Sequence, residues 1–242
     1  MTGPTPVSQR EKDTCDRLMA QWERAEHHGP RLLSEDGLGR VGRTFLMRAL
    51  GYVAKADGAV QKTDIRYAES LMRSLAVSPR ERKRLIAAFR EGKTLKSPKL
   101  SSLARWWLTL PQAVRIVIAL AQVCQTDSGP SPARVSRCEH AGMAMGLSRR
   151  SVAHVLDSYR TKVWNETDNN TGTLNFVQAC RLLGCEPDDS LAQLKKAYRR
   201  QMREYHPDKR QHLRVSPATE AAARDRLHRL QQAWERVRRE HG

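Results

Sequence analysis

From Val41 onward apolar residues recur at three- and four-residue spacing, while alternating runs of β-branched residues are scarce, so the pattern predicts helices and little or no sheet. Val41, Phe45, Leu46, Ala49, Leu50 and Val53 mark a core helix running up to the turn signal Asp57-Gly58. The most apolar run, Leu103 to Cys124, is broken by Arg105, Pro111, Gln112, Arg115 and Gln122. A charge near the middle of a membrane span costs about 2.5–3.5 kcal/mol, so a buried core helix is expected there rather than a span. Residues 1–40 are polar, contain Gly and Pro, and include the weak helical stretch Lys12 to Ala25; a loosely attached arm is expected.

The chain repeats itself at an offset of 70 residues, "ADGAVQKTDIRYAESLMRSLAVSPRERKRLIAAF" from Ala56 pairing without a gap with "TDSGPSPARVSRCEHAGMAMGLSRRSVAHVLDSY" from Thr126. Asp57 meets Asp127, Ile65 meets Val135, Leu85 meets Val155 and Phe89 meets Tyr159. Each copy reads as turn, helix, break, helix. Ser78-Pro79-Arg80-Glu81 forms a capping box with Pro at the first helical position, and Ser148 is the matching N-cap. Two such hairpins joined through the Leu103 to Cys124 segment make one helical bundle over 41–161. "KVWNETDNNTGT", residues 162–173, is a linker by composition.

The remainder, 174–242, reads as a short helix stopped by Gly184, then a capping box, Ser190 to Gln193, that opens a second helix. The apolar stripe of that helix is Leu191, Leu194, Tyr198, Met202 and Tyr205, while Lys195, Lys196, Arg199, Arg200 and Arg203 crowd the rest of its circumference. Pro207 lacks the amide hydrogen and disfavours helical backbone at His206, so the helix should end near Tyr205 and leave His206 and Asp208 at an exposed tip. Ser216-Pro217 opens a last helix whose seam, Leu227, Leu230, Ala233, Trp234 and Val237, should pack antiparallel on the preceding stripe.

Charge widens the choice of partners. The 242 residues carry a formal net charge of +17, which admits nucleic acid, an acidic membrane surface or an acidic protein. No nucleic-acid-reading motif is visible, and at 5% aromatic residues base-stacking platforms are few; a basic nucleic-acid-binding helical protein is kept as the alternative. Cys15, Cys124, Cys138, Cys180 and Cys185 form no CxxC pair, which suggests reduced thiols rather than zinc or a disulfide framework. The N-terminus lacks the apolar region of a signal peptide, so a cytoplasmic protein is expected, with peripheral membrane contact open to its basic faces.

"LKKAYRRQMREYHPDK" and "LHRLQQAWERV" together make residues 174–242 resemble a J domain, the DnaK-activating module of DnaJ-class co-chaperones, although Leu227 and Trp234 stand where the family has Phe and Tyr. "GYVAKADGAVQKTDIRYAESLM" makes 41–161 resemble a TerB-like helical domain. The combination is similar to the DjlA type, whose members usually begin with a membrane span that this sequence does not display. The resemblance implies an all-α, non-enzymatic co-chaperone without cofactor. Its partners would be a DnaK-class ATPase and a client or partner protein held by the TerB-like domain.

The resemblance further implies that His206, Pro207 and Asp208 form the docking loop, Asp208 serving as the anion for an arginine of the chaperone, with Lys195, Lys196, Arg199, Arg200 and Arg203 facing its acidic surface. Asp57, Asp64 and Asp127 match acidic residues proposed to bind a divalent cation in TerB-like domains. Turn formation and helix N-terminal charge account for them equally well, and a structural role without metal is expected. His140 and His154 have no neighbouring ligand set.

Overall fold

The computed structural model of the chain describes residues 9–24, 33, 38–95, 107–126, 129–164, 176–186, 189–206 and 216–241. Backbone contacts divide it into two units, one of 1–124 and 133–161, the other of 125–132 and 162–242. The architecture is all-α; the only strands among the described residues are the two-residue pair Gln125–Thr126 and Gly129–Pro130.

Among the described residues seven α-helices build the first unit: α1 (Gln9–Arg24), α2 (Arg40–Ala54), α3 (Lys62–Ser74), α4 (Pro79–Gly92), α5 (Leu110–Cys124), α6 (Pro132–Ala144) and α7 (Arg149–Tyr159). The repeat appears as two helical hairpins in the expected register, α3–α4 and α6–α7. Ser78 Oγ accepts from the Glu81 amide and Ser148 Oγ from the Ser151 amide, both at 3.2 Å, so each second helix begins with a satisfied donor. The breaks match as well. Ala76 has φ +46° and its counterpart Gly146 φ +91°, a left-handed residue that turns the chain between the helices.

Helix α5 is the shared core. Ala113, Val114, Ile116, Val117, Ile118, Ala119, Leu120 and Ala121 are all buried, as expected for a core segment. Its polar interruptions are accommodated, since Gln122 accepts from the Tyr159 hydroxyl and Arg115 donates to Gln21 at 3.5 Å. Among the described residues no helix is long and apolar enough to cross a membrane.

Helices α2 and α4 cross unusually closely. A Cβ at Gly51 would strike the Phe89 carbonyl, and one at Gly92 the Arg48 carbonyl. Each glycine thus lets one backbone rest on the other, and an Arg48–Glu91 ion pair at 2.8 Å flanks the crossing.

Two expectations need correction. Residues 1–40 are not merely a loose arm, because Cys15, Leu18, Met19 and Trp22 of α1 are buried at 2% exposure or less. They stand at i, i+3, i+4 and i+7, one face of a helix, and that face packs on α5 and α7. Trp22 stands 4.6 Å from the Tyr159 ring, Ser151 donates to Glu11 at 2.6 Å, and His154 pairs with Asp16 at 2.6 Å. Val41 of the α2 stripe and Leu191 of the C-terminal stripe are exposed at 47% and 41%. Both lie in the first turn of their helices, where the stripe has not yet reached the core. Phe45, Leu46, Ala49, Leu50 and Val53 are buried.

The second unit holds α8 (Phe176–Leu183), α9 (Leu191–Tyr205) and α10 (Pro217–His241) around a small core of Ala179, Cys180, Leu182, Leu183, Leu194, Leu230, Ala233 and Val237. Its eight fully buried members come from all three helices, so none is stable without the others. All described cysteines are free, and all but Cys185 are buried. Residues 165–173 of the expected linker lie outside the described residues.

Candidate functional site

The helical hairpin of the second unit is fixed at both ends by local sequence. Gly184, at φ +74°, ends α8, and the Cys185 amide reaches back to the Cys180 carbonyl at 3.0 Å. Ser190 and Gln193 cap α9 reciprocally, with Gln193 Oε1 accepting from the Ser190 amide at 2.8 Å. At α10, Pro217 occupies the first turn, where its missing N–H costs nothing, and Ser216 Oγ accepts from the Thr219 amide at 3.1 Å.

Two aromatic contacts hold the hairpin in register. Tyr198 stacks on Trp234 with centroids 5.1 Å apart and planes 10° apart, and the Arg226 guanidinium lies 5.6 Å from the Tyr205 ring centre. Partners ascend along α9 as they descend along α10, so the helices run antiparallel as the seam predicts. Trp234 keeps the apolar seam continuous at the position where the J-domain family has Tyr.

With Leu194 and Ala197 buried and Tyr198, Gln201, Met202 and Tyr205 half-buried, the rest of α9 is left to solvent. Lys195, Lys196, Arg199, Arg200 and Arg203 are all exposed, which gathers the five predicted cations on the outward surface of one helix. The helix ends at Tyr205, and His206 adopts extended backbone at φ −60°, ψ 135°, exposed at the start of the tip. Pro207 and Asp208 lie outside the described residues. The arrangement is a row of exposed cations along α9 that leads to His206, where the helix ends.

The acidic residues of the first unit are brought together around an internal cation. Arg134, fully buried on α6, donates from Nη1 to Asp64 Oδ1 at 2.8 Å, from Nη2 to Asp64 Oδ2 at 3.1 Å and from Nε to Asp57 Oδ2 at 2.6 Å. Nη1 also donates to the Val123 carbonyl at 2.7 Å. Burial by itself would lower the Arg134 pKa, but hydrogen bonding and charge from Asp64, then Asp57, outweigh it and hold the pKa above the usual arginine value. The Asp64 carboxylate also accepts from the Gln61 amide at 2.9 Å, closing a capping box for α3.

These residues do not fit a divalent cation, because the guanidinium already fills the space between the two carboxylates with positive charge. Among the described residues no three His, Cys, Asp or Glu side chains group as metal ligands, and Asp127 lies outside them. His154 is paired to Asp16. Burial, then Arg149 and Arg137, lower the His140 pKa.

Sequence reasoning missed Arg134, although a signal was present. It stands 70 residues after Asp64, so the repeat aligns the two bridge partners with each other.

The hairpin and its seam point to a class. Residues 180–241 match the DnaJ domain, and this C-terminal segment is a J domain. Over about four-fifths of its length the chain is similar to proteins of one kind. It is 28% identical over 198 residues to the Co-chaperone protein DjlA of Shewanella oneidensis, covering 80% of this chain and 75% of that protein. The corresponding figures are 25% over 208 residues for the DjlA of Escherichia coli K12, covering 80% and 77%, and 24% over 207 residues for that of Coxiella burnetii, covering 79% and 74%. No solved structure matches the chain.

Proposed function

We propose that the protein is a co-chaperone whose J domain stimulates ATP hydrolysis by a DnaK-class chaperone, while the first unit recruits a client or partner. The observation that carries this is the exposed cationic face of α9 running into His206 at the hairpin tip, within a segment that matches the DnaJ domain. Similarity to proteins named as DjlA co-chaperones supports the same reading.

On this reading Lys195, Lys196, Arg199, Arg200 and Arg203 speed and orient the encounter with an acidic surface of the chaperone. Asp208 accepts a charge-assisted hydrogen bond from a chaperone arginine, Pro207 fixes the path of the loop, and His206 supplies a second contact. The J domain performs no bond chemistry itself; the ATPase is the partner's. The protein works in the cytoplasm, with salt-sensitive contact to anionic membrane surfaces through its basic faces.

The test is single-turnover ATP hydrolysis by a cognate DnaK-class chaperone in the presence of the wild type or Asp208→Asn, beside a circular dichroism melt. Loss of stimulation by upward of about thirtyfold at an unchanged melting temperature is expected, the effect of removing one partner of a desolvated charge pair. Full stimulation by the folded variant would defeat the reading. Binding of a DNA duplex at physiological salt would then favour the nucleic-acid alternative.

A further inference from the structure

The first unit carries a second cationic feature that the J domain does not explain. A cavity of about 590 Å³ opens where two helices begin, lined by Leu38, Gly39, Arg40 and Arg43 at the start of α2 and by Ser78, Arg80, Glu81 and Arg84 at the start of α4. Four arginines thus line the cavity, and two of them hold its one carboxylate. Glu81 is held from both sides, by Arg43 Nη1 at 3.4 Å and Arg84 Nη2 at 3.2 Å, and Arg43 is itself anchored through Nε to the Leu38 carbonyl at 2.7 Å. Arg40 and Arg80 are exposed and flank this pair.

We propose that this cavity binds an acidic segment of a partner protein, with Arg40 and Arg80 as its primary contacts. The geometry favours carboxylates because the site already holds one in a two-sided guanidinium clamp, and arginine matches carboxylate bidentately. The excess charge is reinforced by the backbone. Gly39 provides no side-chain cap, so the first amides of α2 rely on other acceptors, and the positive ends of two helices of 15 and 14 residues meet here. An apolar anchor is at hand. Leu108 packs against Gly42 of α2, and the residue before it, Trp107, is 66% exposed. The concavity is of the size that accepts side chains, whereas a nucleic-acid duplex calls for an extended cationic stripe.

This deepens the recruiting half of the proposed function and is separable from the ATPase half. The experiment is fluorescence anisotropy of a short labelled poly-Glu peptide with the full chain at physiological salt, a poly-Gln peptide serving as control. The wild type should bind poly-Glu and not poly-Gln. Arg40→Glu combined with Arg80→Glu should weaken binding at least about tenfold, leave the melting temperature unchanged, and leave stimulation of the chaperone ATPase intact. Glu81→Gln should act in the opposite sense and tighten binding, a direction that structural damage would not produce. Equal binding by the Arg40/Arg80 variant, equal binding of poly-Gln, or loss of binding only when Arg199 and Arg200 are reversed would each overturn the assignment. So would an inert poly-Glu beside a DNA duplex that binds through Arg40 and Arg80.

Discussion

Arg134 donates two hydrogen bonds to Asp64, the residue that occupies its own position in the other copy of the repeat. The two hairpins are therefore joined at equivalent points by residues of opposite charge, and a third group, Asp57, joins them at 2.6 Å. An internal repeat of identical residues would have placed like charges at this point. Divergence of one copy to Arg turns that repulsion into a cross-link.

It follows that Arg134→Ala should be costly. Truncating one partner of a buried ion pair leaves an uncompensated charge and costs about 3–5 kcal/mol. Urea denaturation of the wild type and the variant measures this directly. Calcium should neither bind the wild-type chain in calorimetry nor raise its melting temperature, because the guanidinium holds the place a cation would need. Stoichiometric calcium binding that disappears in Asp57→Ala would reverse that assignment.

The α2–α4 crossing leads to a prediction whose sign opposes the usual rule. In an exposed helix interior Gly→Ala stabilises by about 1 kcal/mol. At Gly51 or Gly92 the added methyl meets a carbonyl oxygen of the facing helix, which cannot give way as a side chain could. Either substitution should destabilise by about 1–3 kcal/mol or more through forced separation of the helices. A neutral or positive change in the melting temperature would mean that the crossing is looser than described.

The two hairpin breaks differ in a way that chemistry can exploit. Ala76 and Gly146 occupy the same place in the repeat, and their amides reach the matching carbonyls of Arg73 and Met143, both at 3.0 Å. Only the first carries a Cβ in left-handed backbone, at a cost of about 1–2 kcal/mol. Ala76→Gly removes that strain but adds about 0.4–1 kcal/mol of unfolded-state entropy. A net gain of about 0.5–1 kcal/mol is expected, and Gly146→Ala, the reverse exchange, should lose about 0.5–1 kcal/mol. Chemical denaturation of both single variants checks the pair of signs.

These features separate what a linear sequence displays from what it hides. Capping boxes, the Gly184 stop, the Pro207 break and the paired register of the repeat are local or periodic, and each was legible because its cause lies within a few residues. The α9 cations were legible for the same reason, since helical spacing assigns them to the side opposite Leu194 and Tyr198. Burial of α1 was obscured because four apolar residues are diluted by polar flanks, and averaged polarity hides a narrow stripe. The Arg134 bridge, the Gly51–Gly92 contact and the arginine cavity each join residues far apart in sequence. Charge or size alone does not identify such partners until the helices are packed.

The basic face of α9 allows the encounter role to be tested apart from the loop. Arg199 and Arg200 are exposed, and the seam that stabilises the hairpin lies on Leu194, Ala197 and Tyr198. Reversing both to Glu should therefore leave the melt nearly unchanged while slowing association with a DnaK-class chaperone. Steering by such a patch accelerates encounter by about 10-fold or more at low salt. Raising the ionic strength from about 0.15 M to 1 M shortens the screening length from about 8 Å to about 3 Å, so the wild-type advantage should shrink with salt. Stopped-flow association at two salt concentrations provides the measurement. Dissociation should change less than association, because solvated rim charges act mainly on the approach. Equal association rates for the wild type and the double variant at low salt would show that the face is solvated surface and that docking rests on the tip alone.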